Sequence, residues 1–171
     1  MQGPGAFEDL DEEFDFDETE IENNTRKFMI PRSVSQKHPP YLMFKSVEQM
    51  DENIEQIRAE YDSRPPNDEW KSYCESILTS MQSMYDDAFF QHSNLVVILL
   101  TTGSSAIKCK LKKVGIKNNE LYIGVHEMVP IGAMTCDEAY YSFVIPIKKS
   151  SFDGDTVKID IRKVYYRPSD D

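Results

Sequence analysis

The sequence predicts an α+β fold, with two to three helices packed on a curved antiparallel meander of five or more strands. Three observations carry that expectation. Apolar residues recur at intervals of three and four between positions 47 and 81, the signature of helices with one buried stripe. From Asn94 onward the period changes to two, as in strands whose side chains alternate faces. Short connectors rich in Gly, Asn, Asp and Ser separate those strand segments, which implies antiparallel neighbours.

The first segment is an acidic arm over residues 1–24. Between Glu8 and Glu22 stand ten acidic residues and no basic one. The whole chain has 30 acidic and 19 basic residues. The net charge of −11 therefore belongs almost entirely to the arm, and the body over residues 25–171, expected to be one domain, is nearly neutral. A dense run of like charge repels itself and buries little, so it reads as a solvated arm. Phe7, Leu10, Phe14, Phe16 and Ile21 interrupt the acids and would let part of it dock on a basic, apolar surface. A calcium loop is excluded because no Gly follows Asp15 or Asp17 at the central turn.

Residues 26–30 form a short apolar strand candidate stopped by Pro31, and 31–40, with three prolines, read as a loop. Tyr41–Phe44 is a second short strand. Ser46 opens a helix, because Ser46 and Gln49 stand at capping-box spacing. Val47, Met50, Ile54, Ile57 and Tyr61 form its stripe, and Pro65 and Pro66 end it. Asn67 caps a second helix with Trp70, Tyr73, Cys74, Ile77, Leu78 and Met81 on its buried side. A third helical turn fits 86–91.

Five strands follow, at 94–102, 106–116, 120–128, 139–149 and 156–166. Gly103, Ser104 and Ser105 read as the turn of a first hairpin. Asn118 and Asn119 suit a turn needing positive φ, and Asp153 with Gly154 signals another hairpin. Residues 95–100 are apolar at every position, so both faces need cover. Internal cover is the expectation; without it Val96, Ile98 and Leu100 would be an exposed patch. On the last strand Val157, Ile159 and Ile161 point inward, and Lys158, Asp160 and Arg162 outward.

Chemistry is sparse. His38 and His92 read as loop residues, and His126 as a polar residue on a wet strand face beside Tyr122 and Gly124. Ser104 and Ser105 lack the second glycine and following helix of a nucleophile elbow. Cys109, His126, Cys136 and Asp137 match no zinc spacing, and both phosphate-loop signatures are absent. Three cysteines without a C-x-x-C pair leave buried thiols and one disulfide both open. Lys108, Lys110, Lys112, Lys113 and Lys117 make a basic stripe, but a nearly neutral body does not suit nucleic acid; the stripe is a solvated face or a bed for the arm. No apolar run approaches the ~20 residues of a membrane helix. No signal-peptide pattern opens the chain, which leaves the compartment open, since a chain with its signal removed reads the same.

The stretches YDDAFFQHSNLVVILLTTGSSAIKCKLKKV (85–114) and NNELYIGVHEMVPIGAMTCDEAYYSFVIPIKK (118–149) resemble the C-terminal domain of the protease complex subunit PrcB family. The shared features are an aromatic pair before an apolar strand, a Gly-Ser turn, an alternating strand, an L-Y-I-x-V strand and a Pro-Gly loop. Ala106 departs from the pattern, where a second glycine or an aromatic is common. The resemblance covers about residues 85–149. It implies a bacterial cell-envelope or secreted protein, often a lipoprotein, that binds and stabilises a protease and has no active site.

The functional expectation is therefore a non-catalytic binding or accessory module with a protein partner and no cofactor or metal. Its candidate interface is Met128, Ile131, Met134, Tyr140, Tyr165 and Tyr166, since exposed aromatics carry interface energy. The alternative is a small hydrolase or ligand-binding protein with a pocket under the 129–138 connector, using His126 and Asp137. A dimer closed through the sheet edge is a third reading.

Overall fold

The structure is a computed structural model and describes residues 5–16, 22–23, 41–62, 68–137 and 139–168. The expectations for 26–40, including His38, and for Asn67 lie outside the described residues, as do those for the side chains of Tyr61, Trp70, Tyr73, Cys74 and Tyr140. Contacts divide the chain into two compact units. One comprises Met1–Thr25, Leu100–Phe143 and Gly154–Asp171, and the other Arg26–Leu99 and Val144–Asp153. No helix among the described residues is long and apolar enough to cross a membrane.

The second unit holds the helices. Strand β3 (Tyr41–Phe44) leads into α1 (Val47–Asp62). Ser46 caps α1: its Oγ accepts from the Gln49 N–H at 3.2 Å, and Gln49 Oε1 accepts from the Lys45 N–H at 2.8 Å. Helix α2 (Asp68–Met84) follows. The short α3 (Asp87–His92) starts at Asp86, whose carboxylate accepts from the Phe89 N–H at 3.0 Å. The sequence stripes become one core, in which Met50, Ile54 and Ile57 of α1 meet Leu78 and Met81 of α2 and Phe90 of α3. That cluster closes on Phe44 and on Leu95 and Val97 of β4 (Ser93–Thr102). Burying one such side chain contributes about 1.5–3 kcal/mol. Outside the core, Arg58 clamps α1 to α2 through two hydrogen bonds to the Glu75 carboxylate, at 3.1 and 2.6 Å.

Leu95 and Val97 thus face the helices, and the alternate residues Val96, Ile98 and Leu100 are buried as well. Both faces of β4 are covered internally, as expected of a strand with no polar side.

The first unit is built on a hairpin. Strands β5 (Lys108–Lys117) and β6 (Glu120–Pro130) pair antiparallel from Lys117↔Glu120 to Lys108↔Met128. Asn118 and Asn119 carry φ of 53° and 64°, the two left-handed positions of a type I′ turn. A bulge between Leu111 and Lys113 shifts the register. It flips which β5 side chains face the core, so buried Cys109 and Leu111 are followed by buried Val114.

Among the described residues there are two four-stranded sheets, ordered β1-β5-β6-β8 and β2-β7-β4-β3. Here β1 is Glu12–Glu13, β2 Glu22–Asn23, β7 Ala139–Lys148 and β8 Val157–Tyr166. The α+β class and all five long strands are as the sequence predicts, but their pairing differs. Gly103–Ser105 does not close a hairpin, because β4 and β5 belong to different sheets. Asp153 and Gly154 likewise join β7 to a strand of the other sheet. Turn chemistry reverses the chain locally; it does not decide whether the flanking strands share hydrogen bonds. With β7 in the other sheet, β8 returns along β6 in parallel, from Leu121↔Val157 to Pro130↔Tyr166. Pro146 lies in β7 outside the two residues, Ser142 and Phe143, that pair with β2 among the described residues.

Leu95→Ala is expected to cost about 2–5 kcal/mol in urea unfolding, because it opens a cavity between β4 and the helices. Asn119→Val, which forces a β-branched residue into positive φ, is expected to cost about 1–2 kcal/mol, whereas Asn119→Gly is expected to be neutral or stabilising.

Candidate functional site

Side chains on β6 alternate between two environments. Leu121, Ile123 and Val125 enter the core. Tyr122, Gly124 and His126 point to the other face, level with Lys158, Asp160 and Arg162 of β8. Beyond the β5 bulge, Lys113 and Gly115 join the same face by pairing with Gly124 and Tyr122. The sequence reads it as solvated. In the structure the acidic arm lies on it, and Tyr122 is 0% exposed.

The arm is held mainly through its backbone. The Asp11 and Phe14 N–H groups donate to the Ile116 and Val114 carbonyls of β5 at 2.8 and 2.7 Å. The Glu8 N–H donates to the Tyr122 hydroxyl at 3.3 Å, and Lys113 Nζ donates to the Glu8 carbonyl at 3.0 Å. His126 Nε2 bonds the Gly5 carbonyl at 2.7 Å, which makes that nitrogen the donor. Phe7 stacks on the His126 ring at 4.8 Å between centroids. Two carboxylates also find partners: Glu8 with Lys158 at 3.3 Å, and Asp11 with the Asn118 N–H at 2.9 Å.

A polar network lies under the arm. The Tyr122 hydroxyl donates to Asp160, and Arg162 Nε donates to the same carboxylate at 2.7 Å. Burial opposes ionisation of Asp160, but the bonds from Arg162 and Tyr122 outweigh it and hold the carboxyl below its ordinary range. Burial first, and then the bond to ionised Asp160, push the Tyr122 phenol up to about 12. The sequence placed Tyr122 and Asp160 each on a wet face; what it did not show was that β6 and β8 are neighbours.

Of the predicted interface residues, Met128, Ile131, Tyr165 and Tyr166 lie at the far end of the β6–β8 pair, Met134 follows on the connector, and Tyr140 belongs to β7 in the other sheet. The Ile131 N–H donates to the Tyr166 carbonyl at 2.7 Å, extending the ladder past Pro130↔Tyr166. Ile131 is 54% exposed, Tyr165 62% and Met134 40%. Met128 and Tyr166 are half-buried. The apolar run Leu95 to Leu100 is buried and forms no exposed patch.

His126 and Asp137 have different partners. His126 is occupied by Gly5 and Phe7. Asp137 is exposed and sits with Ser105 and Thr135, whose hydrogen bonds, the Ser105 side chain first, lower its pKa to about 2. Residues 131–137 are all exposed. Ser104 is buried and serves its own turn: its hydroxyl shares a hydrogen bond with Thr135 Oγ1 at 3.0 Å and accepts from the Ala106 N–H at 3.1 Å. Among the described residues no three of His, Cys, Asp and Glu converge as metal ligands. Cys109 is buried and Cys136 exposed, both as thiols rather than half-cystines. No family model matches the chain, and neither does any curated protein or solved structure.

The raised Tyr122 pKa sets a pH dependence. The phenol is neutral in both folded and unfolded chains below pH 10, the ordinary value, so its contribution is complete there. As pH rises from 10 through about 12 the unfolded chain ionises first and that stability is lost. Urea unfolding at pH 9 and pH 11.5 is expected to show an alkaline loss on the order of 2 kcal/mol larger for the wild type than for Tyr122→Phe.

Proposed function

We infer that this protein is a non-catalytic binding or accessory module that acts through a protein interface. The observation that carries the reading is the exposed group at the end of the β6–β8 pair, where Ile131 and Tyr165 flank the backbone bond from Ile131 to Tyr166. Large apolar side chains at the end of two paired strands, with Met134 on the adjoining connector, supply the aromatic and aliphatic anchors on which binding energy concentrates. A tyrosine offers such contact area at low entropic cost, since it has only two torsions to fix.

The partner class follows from the resemblance over residues 85–149. It points to a secreted or envelope-associated protease, stabilised by this module in a bacterial envelope or outside the cell. The polar groups of the hydrolase alternative do not form an acid–base pair, since His126 is bound to the arm and Asp137 to a serine–threonine turn.

A photoreactive phenylalanine in place of Tyr165 tests the surface in envelope extracts of the native host. Cross-linking to one protein species is expected, lost in the presence of Ile131→Asp and absent when the probe stands at exposed Glu52. Identical products from positions 165 and 52 would contradict the assignment. For the isolated partner, Tyr165→Ala is expected to weaken binding about tenfold or more.

A further inference from the structure

The acidic arm sits on its sheet as a ligand sits on a receptor. Its apolar side chains, Phe7, Leu10, Phe14 and Phe16, are only half-buried, whereas Leu121, Ile123 and Val125 beneath the same sheet are fully buried. Asp9, Asp11, Glu12, Glu13 and Asp15 are exposed. The arm adds to one face of the sheet, where it lies over Tyr122.

That surface is shaped for an extended chain. A side chain at Gly115 would overlap the Glu12 carbonyl, and one at Gly124 would stand 2.9 Å from the Phe7 ring. Glycine in a strand interior weakens the strand, and its common justification is the close approach of another backbone. Both glycines lie directly under the arm, one on each strand of the β5–β6 hairpin.

The anchors between them read a main chain. Val114 and Ile116 accept arm amides, Tyr122 accepts the Glu8 N–H, and Lys113 and His126 grip the Glu8 and Gly5 carbonyls. Contacts of this kind form with any peptide laid in the same direction, while pockets for alternate side chains select which one binds. Here the selecting features are an aromatic seat over Gly124 beside His126, and Lys158 facing the next residue, Glu8.

We propose that this face of β5, β6 and β8 is a peptide-docking site whose resident occupant is the arm, and that an extended acidic segment of a partner protein, with an aromatic residue at the Phe7 position followed by a carboxylate, displaces the arm to bind there. The surface is distinct from the Ile131–Tyr165 end. It makes the arm an internal competitor. A tethered segment competes at an effective concentration of about millimolar for a short flexible connection, so a partner must either be presented at comparable local concentration or bind better than the arm. Among the described arm carboxylates Glu8 alone forms an ion pair at the face, so charge adds little to the arm's hold on its site.

The test is a titration of a fluorescent peptide with the sequence of residues 5–16, followed by anisotropy, against the full chain and two full-length variants with weakened arms, Phe7→Ala and Glu8→Lys. Cooperative thermal unfolding is checked for each. The expected result is at least tenfold tighter peptide binding by either weakened-arm variant than by the wild type. Adding Lys158→Glu to the Phe7→Ala chain is expected to reverse that gain, and a peptide carrying Phe7→Ala is expected to bind none of them. Equal peptide affinity for wild type and both variants would overturn the proposal. So would absence of binding up to millimolar peptide by a variant that unfolds cooperatively.

Discussion

A strand without a polar side can exist in water only with a wall on each face. Strand β4 is such a strand, and its requirement organises much of the chain. Leu95 and Val97 take the helices as one wall, which is why α1, α2 and α3 direct Met50, Ile54, Leu78, Met81 and Phe90 to a single cluster. Val96, Ile98 and Leu100 take their cover from within the molecule too. The helix stripes are short of stability by themselves, since isolated helices of this length are marginal. Their persistence comes from the apolar strand they close upon, and the capping at Ser46 and Asp86 sets where they begin.

The charge distribution tells a different story from the charge count. An arm with ten acids would be expected to hold to its sheet by ion pairs, yet Glu8 and Lys158 are the one pair among its described contacts, and both partners are substantially exposed. Exposed pairs contribute about 0–1 kcal/mol. Backbone bonds to β5, the Phe7–His126 stack and the cover over Tyr122 hold it instead. Tyr122 is fully buried with the arm lying on its face, which ties the ionisation of a phenol to the seating of a peptide segment.

Much of this was legible in the sequence. Period and turn residues located all five long strands to within two residues, and the asparagine pair marked the one true hairpin among them. The described parts of the stripes of both long helices were visible as well, Met50, Ile54 and Ile57 on one and Leu78 and Met81 on the other. Strand partnership was not legible, because Gly103–Ser105 and Asp153–Gly154 have the chemistry of reversals whichever sheet the chain enters next. The parallel β6–β8 pair was hidden for the same reason: its register depends on β7 having left for another sheet. The face under the arm was legible as an alternation and misread as wet, since nothing local in Tyr122, Gly124 and His126 shows that a segment more than a hundred residues earlier covers them. Of the candidate interface, Ile131, Met134 and Tyr165 are exposed, while Met128, expected to be exposed, is half-buried.

Strand β8 stands outermost in its sheet among the described residues and runs the full length of β6. An outer strand of that length offers a row of amide and carbonyl groups on which identical molecules could stack without limit. Lys158, Arg162 and Lys163 are exposed along it. Charged side chains along an outer strand are one of the ways in which a sheet edge is made a poor template for unlimited pairing.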